Sequence, residues 1–550
     1  MERTWLKHYD EGVPHTIEYP AINLYQLFRQ SVERNPSGLA TLFFGARMSY
    51  RSLGEKVDRF ASVLAGLGVK KGDRVALILP NLPIYPIAHF GALKLGAILT
   101  PTNPLYVERE LERQLVDSGA ETVIILDQLY PRLAQVRANT PVKRVVVAGV
   151  KEFLPPTVGF LYGFKNKSTL TTQEEEGLYL YRYRDLMRRK FPPAPAAEVD
   201  PDEIAILLYT GGTTGISKAA TLSHRNLVAN VHQTQVWLSD VREEKEIFLC
   251  VLPFFHSYGM TTGLHLAVQS RCTMVLLPRF ELKDVVKQIR KYKATIFCGV
   301  PSMYNAINHY SGLKSSDVAS IRLCISGGAG LPAEVQESFE KLTGGKLVEG
   351  YGLSEASPVV LVNPIHGYRK IGTIGVPIPN TDARVIDPET HEPLGIGQVG
   401  ELDVTGPQIM SGYWNRRQET DLVLRDGWLH TGDMAVMDEE GFFSIVDRKK
   451  DLILSAGMNI YPREVEEVLH QHPEIVEAAV VGVPSPVRGE TPKAFIVTTA
   501  GSSLGKREVM QFCQDKLSRF KIPKEIEFRK ELPKSAVGKV LKRVLKEEGG

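Results

Sequence analysis

Hydrophobic positions in the first third of the chain switch between two spacings. Leu24, Leu27, Phe28 and Val32 fall on one face of a helix. So do Val57, Phe60, Leu64 and Leu67, a run that ends at Gly68 in a C-cap position. Residues 75–79 and 122–126 are unbroken apolar runs rich in β-branched side chains, the pattern of strands buried on both faces, and residues 108–116 return to helical spacing. Such alternation predicts an α/β fold with helices layered on largely parallel sheets. The pattern changes near residue 450. Pro462 opens a helix with Val465, Val468 and Leu469 on one face, residues 478–483 and 494–498 read as strands, and residues 507–517 read as a further helix. About a hundred residues with their own elements suffice for a small α+β domain. The predicted division is a large domain over 1–449 and a small one over 450–550.

Two stretches, 75–93 and 247–270, carry no Asp, Glu, Lys or Arg over roughly the length of a membrane span. Pro80, Pro83 and Pro86 interrupt the first, and Pro253, His256 and His265 the second. Both are expensive features in lipid, so both stretches read as buried parts of a large core. Residues 151–195 read as an insertion. Phe153, Leu154, Phe160, Leu161, Tyr162 and Phe164 cluster there, and Arg182, Arg184, Arg188, Arg189 and Lys190 follow. Aromatics beside a basic cluster suit an anionic membrane surface, and they equally suit packing on the protein body. A peripheral membrane contact through about 153–190 is therefore one of two readings.

At roughly 150 residues per domain, the chain's 550 residues predict three to four folding units. Its 43% hydrophobic and 23% charged residues exclude a disordered chain, a collagen and a disulfide-stapled miniprotein. With 66 Lys and Arg against 63 Asp and Glu, the net charge of +3 gives no reason to expect nucleic acid as a partner. Five cysteines without a Cys-x-x-Cys pair, and no secretory apolar core in residues 1–19, predict a reducing, cytoplasmic setting. Any membrane contact would then be at the inner face. A homodimer is left open.

Four segments carry candidate chemistry. In the first, a short strand at 206–209 runs into Thr210-Gly211-Gly212-Thr213-Thr214-Gly215 and closes at Lys218. Glycines let backbone N–H groups approach phosphate oxygens, hydroxyls add donors and the lysine adds charge, which makes a polyphosphate cradle. It is not a Walker A loop, since two residues separate Gly215 from Lys218 and Ala219 follows. The second is Glu349-Gly350-Tyr351-Gly352-Leu353-Ser354-Glu355, with Ser326-Gly327-Gly328-Ala329-Gly330 upstream. An aromatic face can stack on a purine, and a carboxylate near phosphates can hold Mg²⁺. The third joins Trp428-Leu429-His430-Thr431-Gly432-Asp433 to Asp447-Arg448-Lys449-Lys450-Asp451, an acid for ribose hydroxyls and a base for phosphate or ribose oxygens. The fourth is Lys534-Ser535-Ala536-Val537-Gly538-Lys539, in which Lys539 sits on a glycine-containing loop.

In this order and at these separations, the segments resemble the adenylate-forming superfamily of acyl-CoA synthetases, luciferases and peptide-synthetase adenylation domains. The resemblance runs from about residue 20 to about 545 and is strongest to bacterial long-chain fatty acyl-CoA synthetases. It rests on 209–218, 349–358, 400–414, 426–433 and 447–462. It implies a ligase that converts a fatty acid carboxylate and Mg·ATP to acyl-AMP and pyrophosphate, then lets coenzyme A displace AMP. By motif match, Thr210, Gly211, Gly212, Thr213, Thr214, Gly215 and Lys218 are implied at the phosphates, and Thr210 and Glu355 at Mg²⁺. Gly328, Ala329, Gly350 and Tyr351 are implied at adenine, with Gly352 and Ser354 in the same nucleotide-binding set. Asp433 is implied at the ribose with Arg448 nearby, and Lys539 between substrate carboxylate and α-phosphate. His256 matches an acyl-entrance position, and an interior histidine is its alternative. The small domain is implied to be mobile, with Lys450 as hinge and Gly457 on the pantetheine arm. Basic residues after 505 face either coenzyme A or solvent.

Departures from the pattern are Ser217 where many members have Pro, Ala219 where most have Gly, Ser354 for Thr and Ala456 for Ser. Ala219 raises the sharpest question, because it puts a Cβ where the loop meets the next element. The ending Glu-Glu-Gly-Gly, with no carrier domain or Ser-Lys-Leu after Lys539, argues against a peptide-synthetase module or a luciferase. A medium-chain or aryl acid ligase is the alternative within the superfamily. A non-catalytic nucleotide- or lipid-binding relative is the alternative outside it, and a P-loop kinase is disfavoured by the missing Gly-Lys-Ser/Thr.

Overall fold

Residues 75–79 and 122–126 lie at the centre of an eight-stranded sheet. Its order is Lys218–Ser223, Ile204–Thr210, Ile98–Pro101, Arg74–Ile78, Thr122–Leu126, Arg144–Ala148, Leu178–Arg182 and Gln173–Glu175. The computed structural model describes residues 3–159, 173–175, 178–210, 217–455, 458–485, 488–499, 501–514, 516–535 and 538–549. Interior neighbours of the sheet run parallel, and the pair at each edge is antiparallel. The apolar faces read for 24–32 and 57–67 belong to helices Leu24–Arg34 and Tyr50–Gly66. Both pack near helix Ile84–Lys94, which is buried on every side, and Phe28 stacks on Phe90 at 4.3 Å. The first uncharged stretch is thus a core strand followed by a core helix. No helix among the described residues is long and apolar enough to cross a membrane.

A second layer holds parallel strands Ile247–Cys250, Thr273–Leu276 and Leu39–Phe43. Bridges from Phe248 to Ile296 and from Ile296 to Leu323 extend it to the parallel pair Leu323–Ser326 and Lys346–Gly352. The third layer is antiparallel throughout: Asp382–Ile386, Gly400–Thr405, Trp428–Met437 and Phe443–Arg448. These layers share one apolar core whose last member is Phe443.

Beyond strand Phe443–Arg448 the chain forms a second sheet with its own core. Strands Ile453–Ser455, Ile475–Ser485, Gly489–Thr498 and Glu525–Phe528 share a mixed sheet with Met458–Ile460. Helices Pro462–His470 and Lys506–Gln514 cover it. Its core, which includes Ile453, Val465, Leu469, Ile496 and Val509, contains no residue of the main one. The structure is therefore a large α/β domain followed by a small α+β domain.

Part of the 151–195 segment packs inward, while Arg184, Arg188, Arg189 and Lys190 are exposed. Phe153 lies 5.6 Å from Tyr183, which lies 5.6 Å from Phe60. Phe191 rests on Gly66, where an added Cβ would come within 2.2 Å of the ring. Phe160, Leu161, Tyr162 and Phe164 lie outside the described residues.

Candidate functional site

The strand ends of the large domain and one face of the small domain enclose a cavity of about 3070 Å³. Every described site residue lines it: Thr210, Lys218, His256, Gly328, Ala329, Gly350, Tyr351, Gly352, Ser354, Glu355, Asp433, Arg448, Lys450 and Lys539. Gly211, Gly212, Thr213, Thr214, Gly215, Ala456 and Gly457 lie outside the described residues.

Strand pairing explains how distant positions meet. Thr210 ends the strand next to the sheet's edge and Lys218 opens the edge strand, directly opposite it, so both flank the mouth of the glycine-threonine loop. The Ser217 hydroxyl donates to the Thr210 carbonyl at 2.6 Å and ties the loop's two ends together. A Pro at 217 could not make this bond. The Cβ of Ala219 is buried with Leu207 and Ile98 in a small apolar cluster, so the residue that departs from Gly is accommodated by packing.

Asp433 and Arg448 face each other across an antiparallel hairpin, fifteen positions apart in sequence but opposite in register. Gly432, at φ +73°, lies within the strand just before Asp433, where the pairing register shifts, and its N–H donates to Glu401 at 3.0 Å. The two oxygens of Asp433 are divided. Oδ2 accepts from the Tyr351 hydroxyl at 2.6 Å, and Oδ1 lies 3.1 Å from Arg448 Nε. Burial, then the Asp433 charge, pushes the Tyr351 pKa well above its ordinary value, so the hydroxyl stays a donor. Charge-assisted contacts of this kind fix the carboxylate before any ligand arrives.

Glu355 follows the strand Lys346–Gly352 on a short helical turn. Its Oε1 accepts from the Tyr413 hydroxyl at 2.8 Å, and the Lys218 ammonium lies 5.3 Å from the centre of the Tyr413 ring. Burial raises the Glu355 pKa, and the Tyr413 hydrogen bond opposes the rise. The described residues hold no group of three or more His, Cys, Asp or Glu side chains able to bind a metal. Thr210 and Glu355 are hard oxygen donors, which fits Mg²⁺ when substrate phosphates complete its shell.

The fourth wall comes from the small domain. Ser535 N–H donates to the Lys539 carbonyl at 2.7 Å, and the Lys539 N–H to Ser535 Oγ at 3.2 Å, which closes a tight loop. Gly538, at φ +79°, presses this loop onto the large domain, where an added Cβ would sit 3.2 Å from Val300 and 3.3 Å from Ser302. Lys539 lines the cavity from there and is exposed in it. Burial among the cavity walls, then Arg448, lowers its pKa to about 8, with Asp433 opposing, and the cavity water screens part of this effect. Half-buried His256 caps a short helix by accepting from Tyr258 N–H at 3.2 Å. Its pKa is lowered to about 4 by burial and then by the Lys539 charge, so it is neutral at pH 7. Lys450 lies in the turn that joins Phe443–Arg448 to Ile453–Ser455, the connection between the two domains.

Two features of the site were not read from the sequence. Tyr413, which touches both Glu355 and Lys218, lies in the 400–414 segment, but only its hydroxyl among many marks it. Glu349 and Arg463 meet across the domains, a pairing no local pattern announces.

Comparison with known proteins gives two family matches: AMP-binding enzyme over residues 28–414 and AMP-binding enzyme C-terminal domain over 464–539. The chain is 44% identical over 549 residues to the long-chain-fatty-acid–CoA ligase of Bacillus subtilis (strain 168), covering 100% of this chain and 98% of the relative. It is 41% identical over 555 residues to the long-chain-fatty-acid–CoA ligase of Escherichia coli O157:H7, with the same coverage. Among solved structures, it resembles the anthranilate CoA ligase AuaEII in complex with anthranoyl-AMP. The TM-score is 0.86 at 25% identity, over 96% of this chain and 98% of the other.

Proposed function

The chain belongs to the AMP-binding enzyme family, and from that premise we propose that it is an ATP-dependent long-chain fatty acid:CoA ligase. The observation that carries this reading is one cavity lined by residues from all four sequence segments and from both domains. In the first half-reaction, a carboxylate oxygen attacks the α-phosphorus of ATP and the bond to the β-phosphate breaks, releasing pyrophosphate. In the second, the coenzyme A sulfur attacks the acyl carbon, the bond to AMP breaks and the thiol proton passes to water.

The motif matches, together with the geometry of the described residues, support a role for each group. Thr210 and Lys218, with the loop between them, hold the phosphates. Gly328, Ala329, Gly350 and Tyr351 form the adenine wall. Asp433, held by Tyr351 and Arg448, accepts from the ribose hydroxyls. Lys539 neutralises two anions that repel each other, the fatty acid carboxylate and the α-phosphate, and positioning plus charge of this kind is most of what the reaction needs. Neutral His256 stands at the acyl side without adding charge beside Lys539. Thr210 and Glu355 would hold Mg²⁺, which supplies charge neutralisation at the phosphates. The small domain turns about Lys450 between the halves and exchanges Lys539 for Gly457.

Pyrophosphate release and AMP formation across acids from acetate to stearate, plus one aryl acid, tests the reading. A coenzyme A-dependent optimum at long chains is expected, and an optimum at short or aryl acids would reassign the substrate. Contact with a membrane is part of the proposal. Deleting residues 160–164 should reduce co-sedimentation with anionic liposomes, and unchanged co-sedimentation would end that part.

A further inference from the structure

Glu349 is the last residue before the adenine wall, on strand Lys346–Gly352, and its side chain is buried. Its Oε2 has no hydrogen-bond partner among the described residues. Burial pushes its pKa up to about 7, and the groups that oppose this are the Arg463 guanidinium and the Leu331 amide. Among the described residues, the cation paired with it comes from the other domain: Arg463 Nη2 lies 4.0 Å from Glu349 Oε1.

Arg463 is an odd residue for its own helix. It is the second position of Pro462–His470, where the helix dipole disfavours a cation. Its Nε pairs with Glu467 at 2.9 Å, one turn on in the same helix. The guanidinium lies close against the large domain at Gly330, where any Cβ would come within 2.6 Å of Nη2. A bare glycine backbone therefore receives the guanidinium, and the buried carboxylate waits behind it. The Arg463 N–H also donates to Asp447 Oδ2 at 2.8 Å, beside the interdomain turn, so the helix start is fixed at two points.

We propose that Glu349 and Arg463 form the interdomain contact that holds the small domain in the orientation delivering Lys539 to the cavity, and that they are positioning residues for acyl-AMP formation. The proposal rests on the ligase reading above. Its physical basis is the asymmetry of buried charge: paired, the two groups offset each other's desolvation, whereas separation leaves a lone carboxylate inside the protein. Any orientation that withdraws Arg463 bears that cost. The contact therefore favours the adenylating arrangement and contributes nothing to thioester formation.

The test separates the half-reactions. Acyl-AMP formation is followed in a single turnover, and acyl-CoA formation is followed from supplied acyl-AMP and coenzyme A. The chains are the wild type, Arg463→Met, Glu349→Gln and the double variant. Each single change should slow acyl-AMP formation about tenfold, the scale of one weakened buried charge contact, and leave thioester formation equal or faster. The double variant should be no slower than either single one, because both remove the same contact. Arg463→Lys should recover part of the rate. Glu467→Gln, which removes only the partner within the helix, should leave both halves near wild type and reports on folding of that helix. Equal losses in both halves, additive losses in the double variant, or a change confined to the KM for ATP would overturn the proposal. A wild-type chain that forms no acyl-AMP would instead overturn the ligase reading, and the latch with it.

Discussion

The ribose wall and the lysine loop of this site are built in opposite ways. Asp433 is buried and held by Tyr351 at 2.6 Å and Arg448 at 3.1 Å, on a hairpin anchored in the large core. Lys539 sits on a short loop of a domain with its own small core, and its ammonium has no hydrogen bond among the described residues. One group is fixed by its neighbours and the other by where its whole domain stands. A group of the first kind serves every step that contains the nucleotide. One of the second kind can serve a single step and then leave.

The sharpest way to break that contrast is Lys539→Ala. Loss of one positioned charge at the reacting atoms should slow acyl-AMP formation by about a thousandfold, with thioester formation from supplied acyl-AMP largely intact. Equal losses would remove the distinction. Asp433→Ala should do the opposite. By removing the acceptor of two charge-assisted contacts it should raise the KM for ATP about a hundredfold and weaken acyl-AMP use as well, which a titration of each ligand reads. A pH profile sharpens the same point. The Lys539 pKa is lowered to about 8, so its charge is present below that pH and lost above it. The adenylation rate should therefore fall as pH rises through about 8. Lys539→Arg should move that limb to higher pH, and a profile that Arg leaves unmoved would assign it to another group. The smallest effect is Tyr413→Phe. Without its hydrogen bond to Glu355, adenylation should slow about fivefold and the Mg²⁺ requirement should shift to higher concentration.

Much of this was legible in the sequence, for definite reasons. The helix at Leu24–Arg34 and the strands at Arg74–Ile78 and Thr122–Leu126 follow from local apolar spacing, which burial in the core preserves. Tyr351, Asp433 and Lys539 were singled out by the order and separation of four segments that are each weak alone, and by the resemblance that this order carries. The antiparallel layer over 382–448 was not read, because its pairings set partners far apart in sequence and short strands there lack a strong alternation. Tyr413 and the Glu349–Arg463 pair were missed for the same reason: their meaning lies in what they touch, and those partners stand 58 and 114 positions away. Ala219 could be judged only once its packing against Leu207 and Ile98 was known.

The account's central claim is that one cavity makes an acyl adenylate first and a thioester second. A rapid-quench measurement with a long-chain fatty acid and Mg·ATP, before and after addition of coenzyme A, tests it most directly. The prediction is one pyrophosphate and one bound acyl-AMP per protein without coenzyme A, then turnover to AMP and acyl-CoA once it is added. ADP as product, or pyrophosphate released only when coenzyme A is already present, would contradict it.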